Sequence, residues 1–185
     1  MAHPNVVFMG VCGCGKSTVA RRYAAGAGYV VVEADDFHPP ANVAKMRSGQ
    51  PLTDEDRAGW LAALAARISE GRARGETMVL TCSALKRAYR DRLRQADPDL
   101  FFVHLAGTRE LLAQRLGERQ GHFMPASLLD SQLAALEAPQ TPSERCLTVD
   151  IAAAPEVLCA TVATFLRALG LSCAMLGARK CPPDQ

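Results

Sequence analysis

The chain has 185 residues, 49% of them hydrophobic and 22% charged, an ordinary globular balance with enough length for a substantial core. A formal net charge of +2 and only 5% aromatic residues argue against a nucleic-acid or anionic membrane surface as the partner. Seven scattered cysteines, an odd number, do not make a disulfide framework and fit a reducing compartment.

Residues Met1–Asn5 carry no basic stretch leading into an apolar one, so no secretory signal is expected. No apolar run reaches the length of a bilayer span, and the expected location is cytoplasmic. The run Val6-Val7-Phe8-Met9 reads as a short buried strand. It leads into Gly10-Val11-Cys12-Gly13-Cys14-Gly15-Lys16-Ser17, followed by Thr18, and a helix is expected over Ser17–Ala25. This matches G-x-x-x-x-G-K-[ST] in the strand–loop–helix context that the pattern requires. Glycines let the backbone close around a phosphate with its N–H groups inward, and the helix N-terminus adds partial positive charge. In such a loop Lys16 reaches the β- and γ-phosphates and the Ser17 hydroxyl ligates Mg²⁺. Cys12 and Cys14 read as small side chains at the variable loop positions, since no second ligand pair at zinc spacing accompanies them.

Strand-like and helix-like stretches then alternate, which predicts a parallel sheet between helices. Further strands are expected at Tyr29–Glu33, Thr77–Cys82, Phe101–Leu105 and Cys146–Val149. Further helices are expected at Asp54–Gly71, Leu85–Gln95, Thr108–Arg119, Pro125–Leu136 and Pro155–Leu169. In open parallel sheets ligands sit at the carboxyl ends of the strands, where the strand order reverses.

The second strand runs into Glu33-Ala34-Asp35-Asp36-Phe37-His38. These carboxylates emerge at the face that holds the phosphate loop. One is placed to orient or deprotonate an acceptor hydroxyl, and another to hold Mg²⁺ through water. A short helix follows and ends at Gly49; Thr53 is the expected N-cap of the next, with Asp56 completing a capping box. Trp60 reads as packing, and Lys45 and Arg57 are either surface charges or acceptor contacts. The third strand lacks the terminal Asp that anchors Mg²⁺ in many nucleotide hydrolases. Lys86 and Arg90 are expected on one helix face, where two cations suit an anionic acceptor or phosphates. Arg115 and Arg119 share the next helix. The run Gln120-Gly121-His122-Phe123-Met124-Pro125 reads as a small lid that excludes water and brings arginine to the developing charge. The last strand ends at Val149-Asp150, where adenine often rests, and residues 171–185 read as a weakly structured tail.

Taken together, GVCGCGKST, ADDFHPPANVAKM with GQPLTDEDRAGWL, CSALKRAYRDRLR and RQGHFMPASLLDSQ resemble the gluconokinase family, in matching order across residues 5 to 168. The resemblance implies a P-loop NTPase α/β/α fold related to shikimate and adenylate kinases, with a central five-stranded parallel sheet and a small lid. It implies one kinase domain over residues 1–170, with an acceptor-binding insertion over about 35–60 and a lid over about 117–125. The implied activity is phosphorylation of D-gluconate by ATP with Mg²⁺, feeding the pentose phosphate pathway, in a homodimer without nucleic-acid or membrane partners. Gluconate, one carboxylate with a row of hydroxyls, suits Lys45, Arg57, Lys86, Arg90 and His122 beside Asp35 and His38. On that basis Asp35 positions or deprotonates the terminal hydroxyl, Lys16 and Ser17 stabilise the phosphates, Arg119 closes from the lid, and Arg115 packs on adenine.

This sequence departs from the family pattern at Glu33, where Asp is common, and at Cys12 and Cys14, where Ser is common. A shikimate acceptor would call for a Gly-Gly-Gly run where Cys82-Ser83-Ala84 stands. A guanine-nucleotide switch would call for Asn-Lys-x-Asp, which this chain lacks. Another sugar acid stays open as the acceptor.

Overall fold

The structure is a computed structural model and describes residues 4–25, 28–118, 126–141 and 143–171. Five strands form one parallel sheet: β1 (Val6–Met9), β2 (Val30–Glu33), β3 (Met78–Cys82), β4 (Phe101–Ala106) and β5 (Cys146–Asp150). Their order is β2-β3-β1-β4-β5. The chain crosses from β3 over β1 to β4, so the order reverses at β1, and a crevice opens beyond its carboxyl end. The register aligns Met9 with Cys82 on one side and His104 on the other, and Glu33 with Thr81, so these ends share one rim.

Seven α-helices are described: α1 (Lys16–Ala25), α2 (Pro40–Arg47), α3 (Asp54–Ala73), α4 (Arg87–Ala96), α5 (Arg109–Gly117), α6 (Ala126–Ala135) and α7 (Pro155–Ala168). The sheet is covered on both faces, which is why its strands read as apolar runs rather than alternating ones. Val6, Phe8, Val79, Val103 and Leu105 pack with α1 and α7. Val7, Met9, Leu80 and Phe102 point the other way and pack with Trp60, Leu64 and Ile68 of α3 and Leu93 of α4. At the amino end, Asn5 ties three segments: its Nδ2 donates to Asp97 at 2.8 Å, and its Oδ1 accepts from the Met78 amide at 2.7 Å.

The expected strands and long helices are present with their ends moved by a few residues. Two differences bear on the site. A 3-10 turn (Ala34–Phe37) stands where no regular element was expected. The helix expected from Leu85 starts instead at Arg87, because Ala84 adopts φ 42 and Lys86 is extended as the N-cap. Lys86 and Arg90 are therefore not neighbours on one helix face. Most of the expected lid (residues 119–125) and nearly all of the tail (residues 172–185) lie outside the described residues.

Candidate active site

The phosphate loop joins β1 to α1. Gly13 has φ +80, and a Cβ there would come within 2.9 Å of Leu116, so glycine is required both by conformation and by α5 packing. Gly15 has φ +90, but a Cβ there would meet no protein atom within 4 Å; this is the open, concave side of the loop. Lys16 lies beside it and donates to the Gly10 and Val11 carbonyls at 3.1 and 3.0 Å. Gly13, Cys14, Gly15 and Thr18 line a cleft of about 290 Å³ together with Arg115, Ala153, Pro155 and Leu158. Arg115 is fixed there by a 2.8 Å hydrogen bond to the Ile151 carbonyl, just past β5. A planar guanidinium over a small apolar wall suits a flat heterocycle.

On the other side of the loop, Ser17 donates to Glu33 Oε2 at 2.9 Å. Thr81 donates to the same oxygen, and Arg21 pairs with Glu33 Oε1 at 2.9 Å. Burial pushes the Glu33 carboxyl up, but the hydrogen bonds from Thr81 and Ser17 and the Arg21 charge outweigh it and hold it below the usual carboxylate range. An ionised carboxylate beside a hydroxyl at the mouth of a phosphate loop is the donor set that a hard divalent cation takes, with phosphate oxygens and water completing its shell. Among the described residues no cluster of three or more His, Cys, Asp or Glu could hold a metal by itself. Thr81 was not singled out in the sequence. Its signal is a hydroxyl within an apolar strand, in register with Glu33.

Beyond Glu33 the 3-10 turn exposes Asp35 and Asp36 at the rim. The turn rests on Trp60, whose indole N–H donates to the Ala34 carbonyl at 2.7 Å and whose ring stacks on His38 with centroids 4.5 Å apart. Burial holds His38 below its usual value; the Asp35 charge opposes this and the Arg57 charge adds to it. Cys82, fully buried at the end of β3, is pushed up to about 12 by burial and also feels Asp35, Lys16 and Arg57. The Asp35 and Arg57 charges thus act on both His38 and Cys82.

A second cleft, of about 350 Å³, lies against α3, α4 and α6. Its wall includes Leu52, Asp54, Arg57, Lys86, Tyr89 and Gln132. Lys86 Nζ donates to both Asp54 oxygens at 2.7 and 2.8 Å, and the Tyr89 hydroxyl donates to Asp54 as well. The Lys86 hydrogen bond, then that of Tyr89, holds Asp54 below its usual range. Arg57 lies over the Tyr89 ring at 5.9 Å. Cations, a carboxylate and a phenol in one polar cleft match a small, hydroxyl-rich anion. Asp54, Tyr89 and Gln132 had been assigned no role from the sequence. Only the fold reveals that α6 meets α3 and α4 here.

One expected acceptor contact is corrected. Arg90 is 1% exposed and points inward. It donates to Glu144 at 2.7 and 2.9 Å and to the Ala84 and Leu85 carbonyls at 3.0 and 3.2 Å, so its fork is spent within the protein. A buried guanidinium needs such a bidentate partner, and Glu144 supplies it. Lys45 donates to both Asp56 oxygens at 2.7 and 2.9 Å, while Asp56 closes the capping box with Thr53. Its charge fastens α2 to the start of α3. Arg119 and His122 lie outside the described residues.

Comparison with known proteins identifies the family. A family described as an AAA domain matches residues 6–139. A gluconokinase of Gluconobacter oxydans is 55% identical over 134 residues, covering 72% of this chain and 75% of that protein. The thermosensitive gluconokinase of Escherichia coli is 40% identical over 151 residues, covering 82% of this chain and 81% of that one. A crystal structure of a Sinorhizobium meliloti gluconokinase superposes with TM-score 0.78 at 43% identity, over 90% of this chain and 97% of that one. An adenylyl-sulfate kinase structure from Mycobacterium tuberculosis, at 17% identity and TM-score 0.64, shares the fold. With this degree of identity over most of both chains, and with a phosphate loop beside a polar cleft, the chain belongs to the gluconokinase family of P-loop kinases.

Proposed function

We infer that the protein transfers the γ-phosphoryl group of ATP to the terminal hydroxyl of D-gluconate, giving ADP and 6-phospho-D-gluconate. The observation that carries this reading is the cleft of Asp54, Arg57, Lys86 and Tyr89 beside the phosphate loop. The gluconokinases to which the chain is similar supply the acceptor's name.

In this reading the phosphate loop cradles the donor with its backbone N–H groups, and Lys16 exchanges its loop carbonyls for phosphate oxygens. Arg115 packs against the adenine. Arg57 and Lys86 face the gluconate carboxylate, while Asp54, Tyr89 and His38 take up hydroxyls. Asp35, exposed at the rim, orients the terminal hydroxyl and accepts its proton as the new P–O bond forms and the bond to ADP breaks. The resemblance to gluconokinases assigns further contacts to Arg119 and His122, which lie outside the described residues. Ser17 directly, and Glu33 directly or through water, would hold Mg²⁺. That ion supplies charge neutralisation across the β- and γ-phosphates. The same proposal takes residues 1–170 as one kinase domain with its acceptor insertion over about 35–60. It includes a cytoplasmic homodimer, which light scattering of the purified protein tests. No helix among the described residues is long and apolar enough to cross a membrane.

The test is ADP release by purified protein with Mg²⁺-ATP across gluconate, other aldonates, shikimate, AMP and no acceptor. Stimulation by gluconate above the others is expected. Stimulation by a different acceptor alone would keep the kinase and remove gluconate.

A further inference from the structure

Gln132 lines the acceptor cleft and also hydrogen-bonds the phosphate loop. Its Oε1 accepts the Cys12 backbone N–H at 2.7 Å, across 120 residues of chain. Cys12 is the third residue of the loop, and this amide is directed at the protein rather than left to solvent or ligand. Gln132 belongs to α6, which also brings Leu128 and Ser131 to the cleft wall.

α6 is itself fastened to the acceptor side. Just after its last turn, the Glu137 amide donates to the Leu85 carbonyl at 2.9 Å. The Glu137 carboxylate in turn accepts the Arg87 amide at 2.6 Å, at the start of α4. Leu85 and Lys86 are cleft wall. Near its first turn, Asp130 accepts two hydrogen bonds from Arg109 at 2.7 and 3.0 Å, which ties α6 to α5. α6 is thus braced against the acceptor wall and against the helix that packs on the phosphate loop, and Gln132 is its contact with the loop backbone.

We propose that Gln132 is a positioning residue for phosphoryl transfer: it ties the phosphate loop at Cys12 to the acceptor wall and so sets the separation of donor and acceptor. The proposal rests on the gluconate kinase reading. Transfer depends steeply on that separation, because a misplacement of about 1 Å costs on the order of 100-fold in rate. Binding of either substrate alone does not depend on it.

The test compares wild type, Gln132→Met and Gln132→Glu. Methionine keeps the length and loses the acceptor oxygen; glutamate restores an oxygen for the Cys12 N–H. For Gln132→Met, kcat with gluconate is expected to fall roughly 10- to 100-fold, while the Kd for ATP by calorimetry changes by less than about twofold. The thermal midpoint is expected to stay within a few degrees, and Gln132→Glu should recover part of the lost kcat. An unchanged kcat in Gln132→Met overturns the proposal. So does a loss of ATP affinity in step with kcat, or no recovery in Gln132→Glu. A wild type that phosphorylates another aldonate but not gluconate removes the gluconate reading alone, and the three proteins are then compared with the acceptor that works.

Discussion

Ser17 and Glu33 are joined by one hydrogen bond, the hydroxyl donating to Oε2 at 2.9 Å, although they lie on different elements 16 residues apart. Thr81 and Arg21 occupy further positions around the same carboxylate, so Glu33 is held in place from three sides. The carboxylate is thus in direct contact with the hydroxyl proposed to ligate Mg²⁺.

Glu33→Gln keeps the shape and removes the charge. The expected outcome is a several-fold rise in the Mg²⁺ concentration giving half-maximal rate, with metal-free ATP binding little changed. Titrating activity against Mg²⁺ at saturating ATP checks it. An unaltered Mg²⁺ requirement would remove Glu33 from the metal side of the site.

Asp35 is exposed at the rim, outside the hydrogen bonds that join Ser17 and Thr81 to Glu33. Asp35→Asn should lower kcat by roughly 100-fold or more, the scale of a lost general base, while ATP affinity stays near wild type. Single-turnover kinetics with calorimetry separate the two effects. Near-normal turnover would take Asp35 out of the mechanism.

The sequence made the catalytic half of the molecule legible and the acceptor half only partly so. A phosphate loop is local: eight consecutive residues carry its glycines, its lysine and its hydroxyl, and the flanking strand and helix are set by short-range pattern. Thr53 and Asp56 likewise formed the capping box that their spacing implied. The cleft proposed for the acceptor is assembled from α3, α4 and α6, and no periodicity tells which arginine turns inward. Arg90 and Arg57 look alike in sequence. One meets Glu144, 54 residues away, and is buried; the other lies over Tyr89 at the cleft. Lys45 is equally ambiguous in sequence; in the fold it pairs with Asp56. The positive φ of Ala84, which starts α4 late and separates Lys86 from Arg90, carries no residue-type signal, since glycine is the usual occupant.

The Arg90–Glu144 pair makes a prediction about stability instead of substrate affinity. Both side chains are nearly inaccessible, and Arg94 adds a contact to Glu144 at 3.2 Å. Removing one member leaves a buried charge without its partner, at a cost of about 3–5 kcal/mol. Arg90→Met should therefore lower the thermal midpoint by on the order of 10 °C. The gluconate KM of the folded fraction should not change. A raised KM with an unchanged midpoint would return Arg90 to the substrate.

The same pair sets an acid limit. The Arg90 hydrogen bonds, outweighing burial, bring the Glu144 carboxyl down to about 2 from an ordinary value of 4.5. A depressed carboxyl stabilises the fold above its unfolded value and loses that contribution as pH falls toward the folded one. Wild type should lose stability between about pH 4.5 and 2 through this group. Glu144→Gln should be less stable at neutral pH and should show a shallower dependence across that window. Urea midpoints measured at several pH values for both proteins decide it, and parallel curves would exclude Glu144 as a source of the acid sensitivity.

The two loop cysteines differ in a way their spacing conceals. Cys14 is 1% exposed, its sulfur set against Gly10 on the core side of the loop, whereas Cys12 is partly exposed. Thiolate chemistry needs access as well as a favourable field, so an alkylating reagent should modify Cys12 well before Cys14. A bulky group on Cys12 would sit beside the amide held by Gln132 and disturb the loop where donor and acceptor meet. Inactivation by the reagent should track Cys12 labelling in peptide mass spectra, ATP should slow it, and Cys12→Ser should retain activity and resist it. Equal sensitivity of Cys12→Ser and wild type would place the reactive thiol elsewhere in the chain.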